Sequence, residues 1–164
     1  MVIRAVERVR RRGHRDVSAI LVGEGPDLSA FRKLAGDLGL EAHTLFTGLV
    51  NDRARMRELY AAADFFVFPS TYDTDGIVVT EASACALPSI VVRGSGPGTR
   101  IADGENGLLC DPSVGSLAAQ IERLVGDPAV RRRLGAKARS TLYRPAEDVA
   151  TSGLRRYESI VRRA

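Results

Sequence analysis

Residues 64–92, DFFVFPSTYDTDGIVVTEASACALPSIVV, decide the fold of this chain. The apolar run at 64–68 stops at a Pro-Ser pair, and a second apolar run follows at 88–92, so both predict short buried strands. The segment between them, 76–87, is ambiguous. Its β-branched first half favours a strand, whereas its second half is rich in helix formers. A helix there would make the stretch a strand-helix-strand unit.

The rest of the chain alternates in the same way. Further strands are predicted at 18–22 and 43–46, and a turn at 104–107 precedes the apolar residues 108–110. Helices are predicted at 1–12, 27–38, 51–60, 114–125, 128–142 and 146–162. Strands alternating with helices predict an α/β fold, with an open, mostly parallel sheet and helices on both faces.

The start of the chain departs from the usual order of such a fold. A parallel α/β unit usually begins with a strand, whereas residues 1–12 predict a helix. We therefore expect that the first strand of the sheet belongs before Met1. The 164 residues themselves, 45% hydrophobic and 27% charged, predict one domain.

Composition also bears on location and partners. No apolar run approaches the ~20 residues that cross a bilayer, and the first residues lack a secretory signal, so we predict a cytoplasmic protein. Without export, Cys85 and Cys110 are expected to be reduced thiols, and their spacing matches neither a metal site nor a redox pair.

The net charge of +4 comes almost entirely from arginine, because Lys33 and Lys137 are the only lysines. The basic runs at 10–12, 131–133 and 155–163 lie on helical patterns, which favours solvated helix faces. No aromatic platform accompanies the charge, so we predict no nucleic acid partner. Weak contact with an acidic membrane surface remains an alternative.

Four turns follow the predicted strands, at the edge where ligands bind in open α/β sheets. They are Gly23-Glu24-Gly25, Thr47-Gly48-Leu49, residues 70–76 and residues 93–98. Each of these turns contains glycine, which would let a ligand approach the backbone closely. The loop at 93–98 fits a structural turn as well as it fits a place beside the ligand.

The third turn is the most informative. A helix that begins just after Gly76 would present free N–H groups suited to a diphosphate. Asp73 would lie in the loop before that helix and Glu81 just over one turn inside it. Two carboxylates on either side of a phosphate site are suited to accept hydrogen bonds from hydroxyls, the arrangement that a nucleotide diphosphate sugar offers. The alternative is that Asp73, Asp75 and Gly76 only form a turn and Glu81 only lies on the surface.

The stretch from Asp73 to Glu81 resembles the E-x7-E segment of retaining, nucleotide-sugar-dependent glycosyltransferases of family 4, which have the two-domain GT-B fold. The resemblance covers essentially the whole chain. Its other pieces follow the family's order and approximate spacing: Leu21-Val22-Gly23-Glu24-Gly25-Pro26, Phe46-Thr47-Gly48, Leu59-Tyr60, Ala63-Asp64, Pro69-Ser70, Glu81-Ala82, Leu87-Pro88 and Asp103-Gly104-Glu105-Asn106-Gly107-Leu108-Leu109. Each piece is weak by itself, and together they are specific.

The resemblance implies a Rossmann-like domain, the C-terminal half of a GT-B fold, that binds a nucleotide diphosphate sugar as donor. In the catalytic set, Glu81 would bind the ribose and Asp73 would face the donor sugar. Donor binding would need neither a metal nor another cofactor. The remaining predicted donor-binding residues are Gly23, Gly25, Thr47, Gly48 and Leu49, with the 47–49 turn near the base, and Asp75, Gly76, Ile77 and Val78 near the diphosphate and sugar.

The chain departs from the family at three places. Asp73 is one methylene shorter than the usual glutamate, and Thr99 stands where many members carry an acidic residue. The family's diphosphate-binding Arg and Lys, and its whole N-terminal acceptor domain, would precede Met1. We therefore expect the donor-binding domain of a hexosyltransferase that by itself is inactive or very weak. The alternative is a catalytically incompetent half-domain that binds nucleotide or a partner.

Overall fold

The computed structural model describes residues 1–161. The predicted end of the last helix at 162 and the arginines at 162 and 163 lie outside the described residues. Two 3₁₀ helices occupy Glu41–His43 and Pro97–Arg100. In chain order the other elements are α1 (Val2–Arg11), β1 (Ala19–Val22), α2 (Leu28–Asp37), β2 (Thr44–Gly48), α3 (Arg53–Ala62), β3 (Phe66–Phe68), α4 (Ile77–Ala84), β4 (Ser89–Val92), β5 (Leu108–Cys110), α5 (Val114–Gly126), α6 (Pro128–Leu142) and α7 (Ala146–Val161).

Every strand pairing within residues 1–161 is parallel, which confirms the predicted α/β fold. The strands form two sheets, however: β1 pairs with β2, and the second sheet has the order β3-β4-β5. The expected single open sheet is thus divided between β1 and β3. Parallel strands place their carboxyl ends at one edge of a sheet, so the turns after β3 and β4 are neighbours.

The main core lies around β4 and β5, whose seven residues are all buried. Val9 of α1 and Leu117 and Leu124 of α5 pack with Ile90 and Leu108 in one cluster. Continuous apolar strands of this kind are typical of parallel sheets that are covered on both faces. Cys110 belongs to the same cluster, and both cysteines are free thiols.

Residues 77–84 are helical, which resolves the ambiguity of the β-branched segment. Val79, Ala82 and Ser83 of α4 are buried, and α4 packs against α6. A β-branched residue costs an isolated helix only about 0.5 kcal/mol relative to alanine. Burial of a side chain such as Val79 returns roughly 1.5–3 kcal/mol, so tertiary packing overrides local preference.

A cavity of about 620 Å³ separates the two sheets and is lined by β1, β3 and the first turns of α1. The strands that border it are apolar, yet none of their residues is buried. Ile20 is 39% exposed and Val22 is 43% exposed. Within residues 1–161, β1 pairs only with β2 and β3 only with β4, so neither has a strand beside it on the side that faces this cavity.

Two arginines of the basic runs form contacts with other parts of the fold. Arg12 forms an ion pair with Glu122 at 3.0 Å, and Arg131 donates to the carbonyl of Leu124 at 2.6 Å near the end of α5. These two arginines of the basic runs therefore serve contacts within the fold. Among the residues that the structure describes, no helix is both long enough and apolar enough to span a membrane.

Candidate functional site

The loop between β3 and α4 is held by two of its own side chains. The Ser70 hydroxyl accepts hydrogen bonds from the N–H groups of Tyr72 and Asp73 at 3.3 and 3.2 Å. Asp73 Oδ1 accepts from the N–H groups of Asp75 and Gly76 at 2.9 and 2.5 Å. Four loop amides are therefore satisfied locally, as in Asx and Ser/Thr turns. Asp73 does form the turn, as the alternative reading of this residue predicted.

α4 begins at Gly76, which adopts the left-handed conformation with φ 62° and ψ 53°. A side chain there would also lie 2.7 Å from Cβ of Pro97, so the position requires glycine. The N–H of Gly76 is used by Asp73, in contrast to the expectation that it meets a ligand. Within residues 1–161, the N–H groups of Ile77 and Val78 have no hydrogen-bond partner, as is usual for the first amides of a helix.

Glu81 lies just over one turn into α4 and is exposed. Its Oε2 accepts a hydrogen bond from the hydroxyl of Tyr60 at 3.2 Å, and the same hydroxyl lies 3.4 Å from the carbonyl oxygen of Val78. Burial raises the pKa of Tyr60, and the charge of Glu81 raises it further. Tyr60 therefore stays protonated at ordinary pH and fixes one carboxylate oxygen while the rest of Glu81 faces solvent.

The glycine-rich loop after β4 forms the back wall of this site. A Cβ atom at Gly96 would lie 2.8 Å from the carbonyl oxygen of Asp73, so the two loops touch backbone to backbone. The hydroxyl of Thr99 donates to the carbonyl of Gly96 at 2.7 Å, which is a hydrogen bond within the same turn. The 93–98 loop is therefore a structural turn that packs directly on the candidate site, and its place beside the ligand stays a prediction.

Arg100, at the end of that loop, reaches the start of α4. Its Nη2 donates to the carbonyl oxygen of Asp75 at 2.7 Å, and its Nη1 lies 3.8 Å from the Asp75 carboxylate. Nη1 also donates to the hydroxyl of Thr80 at 3.3 Å. The predicted residue Asp75 is thus engaged through its carbonyl, its carboxylate and its N–H.

The other predicted residues form a second group at the ends of β1 and β2. The N–H of Gly23 donates to the carbonyl of Gly48 at 2.9 Å, and the hydroxyl of Thr47 donates to the same carbonyl at 3.0 Å. Leu49 is 60% exposed, and Gly25 lies in the turn after β1. For residues 1–161, no hydrogen bond or ion pair joins this group to the α4 loop. The structure thus places Asp73, Asp75, Gly76, Ile77, Val78 and Glu81 on one loop and the start of α4, and the 23–25 and 47–49 turns share no described hydrogen bond or ion pair with them.

Sequence reasoning missed Ser70, Tyr60 and Arg100 as site residues. Tyr60 and Ser70 stand in the quoted pieces Leu59-Tyr60 and Pro69-Ser70, so their place in the resemblance was a signal. Arg100 carried no such signal, because its contact with Asp75 spans 25 residues of sequence.

Comparison with known proteins agrees with this geometry. Residues 1–141 match the family model of glycosyl transferases group 1. The chain is 36% identical to the lipopolysaccharide core biosynthesis glycosyltransferase LpsE of Rhizobium meliloti (strain 1021), over 74% of this chain and 35% of that protein. It is 32% identical to the GDP-mannose-dependent alpha-(1-6)-phosphatidylinositol monomannoside mannosyltransferase of Mycolicibacterium smegmatis, over 85% of this chain and 38% of that protein.

A solved structure is similar as well. The C-terminal domain of a glycosyl transferase group 1 family protein (LpcC) from Francisella tularensis superposes with a TM-score of 0.76 at 25% identity, over 85% of this chain and 74% of that chain. The present chain spans about a third of the length of the curated relatives above. Together with the Rossmann-like parallel sheets, these matches identify the chain as a member of the group 1 glycosyl transferase family, with a GT-B type fold.

Proposed function

We propose that this chain is the donor-binding domain of a retaining glycosyltransferase of family 4, which moves a hexose from a nucleotide diphosphate sugar to an acceptor hydroxyl. The observation that carries the proposal is the start of α4, where two open amides follow a preformed loop and Glu81 stands one turn further on. A relative that is GDP-mannose-dependent by name supports this class of donor.

Each part of the donor would meet a different group. The amides of Ile77 and Val78 would donate to the diphosphate, and the positive end of the α4 dipole would add to that attraction. Glu81, held by Tyr60, would accept hydrogen bonds from the ribose hydroxyls. Asp73 uses Oδ1 in the loop, so Oδ2 is the oxygen that would face the sugar.

Catalysis would rest on stabilising the departing diphosphate and on orienting the sugar, more than on a strong side-chain base. The acceptor would be held by a further domain, since the chain spans about a third of its curated relatives' length. We therefore expect residues 1–164 alone to bind donor weakly and to transfer sugar very slowly, if at all.

A second candidate is a catalytically incompetent module that binds nucleotide or a partner. Two side chains favour it, because Asp73 Oδ1 and the Thr99 hydroxyl are both used within their own turns. In the family that the chain resembles, a longer glutamate usually stands at the first position and an acidic residue at the second. The two candidates differ in one measurable property, because only the enzyme transfers sugar when the whole protein is present.

The cavity between the sheets supports the predicted missing strand. The cavity of about 620 Å³ is bordered by β1 on one side and by β3 on the other. We propose that a strand from polypeptide before α1 lies here, parallel to β1 and β3.

Hydrogen exchange tests this strand directly. In the 164-residue chain, the β1 and β3 amides that face the cavity should exchange fast, since no strand covers them. A longer protein that includes the preceding segment should protect them, with little change in β4 and β5. Equal exchange in both proteins would contradict the proposal.

Thermal shift against uridine, guanosine and adenosine diphosphate sugars tests the donor site. A donor at about 100 times its dissociation constant should stabilise the chain by roughly 2.7 kcal/mol, or about 5–10 °C for a domain of this size. Glu81→Ala should lose most of that shift. Glu58→Ala is the matched control, because Glu58 is also exposed on a helix and pairs with Arg55.

The outcomes separate the candidates. If no donor shifts the melting temperature, the donor-binding proposal fails, and if Glu81→Ala binds like the wild type, Glu81 lies outside the site. With the whole protein, NMR of the product should show the anomeric configuration of the donor. Donor binding without transfer would favour the second candidate. The cytoplasmic location and the weak membrane contact stay predictions.

A further inference from the structure

Arg100 is the one cation whose contacts, among the described residues, join the loop after β4 to the start of α4. Its guanidinium donates to the carbonyl of Asp75 at 2.7 Å and lies 3.4 Å from that of Gly76. It also donates to Thr80 inside the first turn of α4. A planar guanidinium can bind several acceptors in a fixed geometry, which a lysine ammonium does not reproduce.

The peptide group between Asp75 and Gly76 is thereby held at both ends. Arg100 binds its carbonyl oxygen, and Asp73 Oδ1 accepts from its N–H at 2.5 Å. Gly76 has no side chain to select its left-handed conformation, because glycine occupies many backbone conformations at similar cost. Arg100 also lies 3.4 Å from the carbonyl oxygen of Gly76, so the peptide groups on both sides of Gly76 are held and the direction of the Ile77 amide is set.

The charge of Arg100 also acts at this point. Cations are usually disfavoured at the front of a helix, where the dipole is already positive. Here the guanidinium lies within 4 Å of the Asp75 carboxylate, with its side chain 36% exposed. It therefore offsets the negative charge that Asp75 places beside an anion site.

We propose that Arg100 is a positioning residue for the donor diphosphate. It locks the Gly76 turn so that the amides of Ile77 and Val78 point to the diphosphate, and it compensates the charge of Asp75. This inference rests on the proposed donor-binding function. It adds a residue outside the Asp73–Glu81 segment to that function.

The test compares Arg100→Ala, Arg100→Lys and the control Arg133→Ala. Arg133 is also exposed and also donates to a loop carbonyl, that of Gly104 at 3.1 Å, but it lies on α6. Hydrogen exchange of the Gly76 and Ile77 amides, measured without any ligand, shows how firmly the Gly76 turn is held. Affinity for uridine, guanosine and adenosine diphosphates, compared with the matching monophosphates, reports its effect on the site.

For Arg100→Ala we expect Gly76 to exchange about tenfold faster and the affinity ratio of diphosphate to monophosphate to fall about tenfold, as for loss of a hydrogen bond to a charged group. Arg100→Lys should recover part of the diphosphate-to-monophosphate affinity ratio, because lysine keeps the charge but lacks the planar guanidinium with its several donors. Arg133→Ala should change neither quantity, even if it lowers the melting temperature equally.

Each failure has a distinct meaning. Unchanged exchange at Gly76 in Arg100→Ala overturns the lock. An unchanged affinity ratio, with wild-type chain that binds diphosphates, overturns the positioning role and leaves the proposed function intact. A wild-type chain that binds none of the six nucleotides overturns both.

Discussion

Gly96→Ala tests the contact between the two loops of the site. The backbone of Gly96 has φ −51° and ψ −56°, which alanine adopts readily, so the change adds only a methyl group. That methyl group would lie 2.6 Å from the carbonyl carbon of Thr74 and 2.8 Å from the carbonyl oxygen of Asp73. Because both neighbours are backbone atoms, the α4 loop must move to admit it.

The magnitude follows from overpacking. An inserted methyl group in a well-packed place costs about 1–3 kcal/mol. For a domain of this size, each kcal/mol lowers the melting temperature by about 2–4 °C. We therefore expect Gly96→Ala to melt about 3–10 °C below the wild type and to shift the NMR signals of the Asp75 to Val78 amides.

Gly36→Ala is the matched control, because it makes the same chemical change in α2, where a Cβ atom has no neighbour within 4 Å. Alanine in an open helical position should stabilise the protein by about 0.5–1 kcal/mol. The two variants should thus melt on opposite sides of the wild type. If Gly96→Ala melts within about 1 °C of the wild type with unshifted α4 amides, the loops do not pack as described and the reasoning is refuted.

Three further predictions concern the stability of the fold. Burial and the charge of Glu81 raise the pKa of Tyr60 in the folded protein, so the unfolded chain loses this proton first as pH rises above about 10. The free energy of unfolding of the wild type should therefore fall above that pH by up to about 1.4 kcal/mol per pH unit. Tyr60→Phe should fall less steeply in urea titrations between pH 8 and 11, and equal slopes would contradict the cause. Asp127 caps α6 by accepting from two backbone N–H groups, so Asp127→Ala should cost about 1 kcal/mol in thermal unfolding and Asp127→Asn much less; equal losses would argue against the cap. Leu117→Ala should cost about 2–5 kcal/mol in urea unfolding, whereas Leu45→Ala, at a side chain that is 53% exposed, should cost far less.

The sequence predicted those features that depend on local order along the chain. Apolar runs that stop at Pro69 or Gly23 marked the strands, and Gly76 marked the front of α4. The β-branched residues after Gly76 could not be assigned locally, because their helical state depends on burial of Val79 against other elements. The division into two sheets was not predicted, because the cavity between β1 and β3 depends on how distant segments pack.

Side-chain geometry within the site was much harder to predict. Asp73 and Glu81 were identified by spacing, but spacing does not say which atoms a carboxylate contacts. The structure turns Asp73 Oδ1 toward its own loop and ties Glu81 to Tyr60, 21 residues away. Arg100 could not be found at all without the fold that carries it to Asp75.

The hold that Ser70 and Asp73 keep on their own loop has a kinetic consequence. A loop whose amides are already satisfied has little configurational freedom left to lose on ligand arrival. Apparent affinity scales with the fraction of molecules in the competent geometry. The association rate of a nucleotide should therefore be set by diffusion and long-range attraction. Variants that loosen the loop should weaken binding by lowering the fraction of competent molecules, while the residence time of each bound nucleotide stays nearly the same.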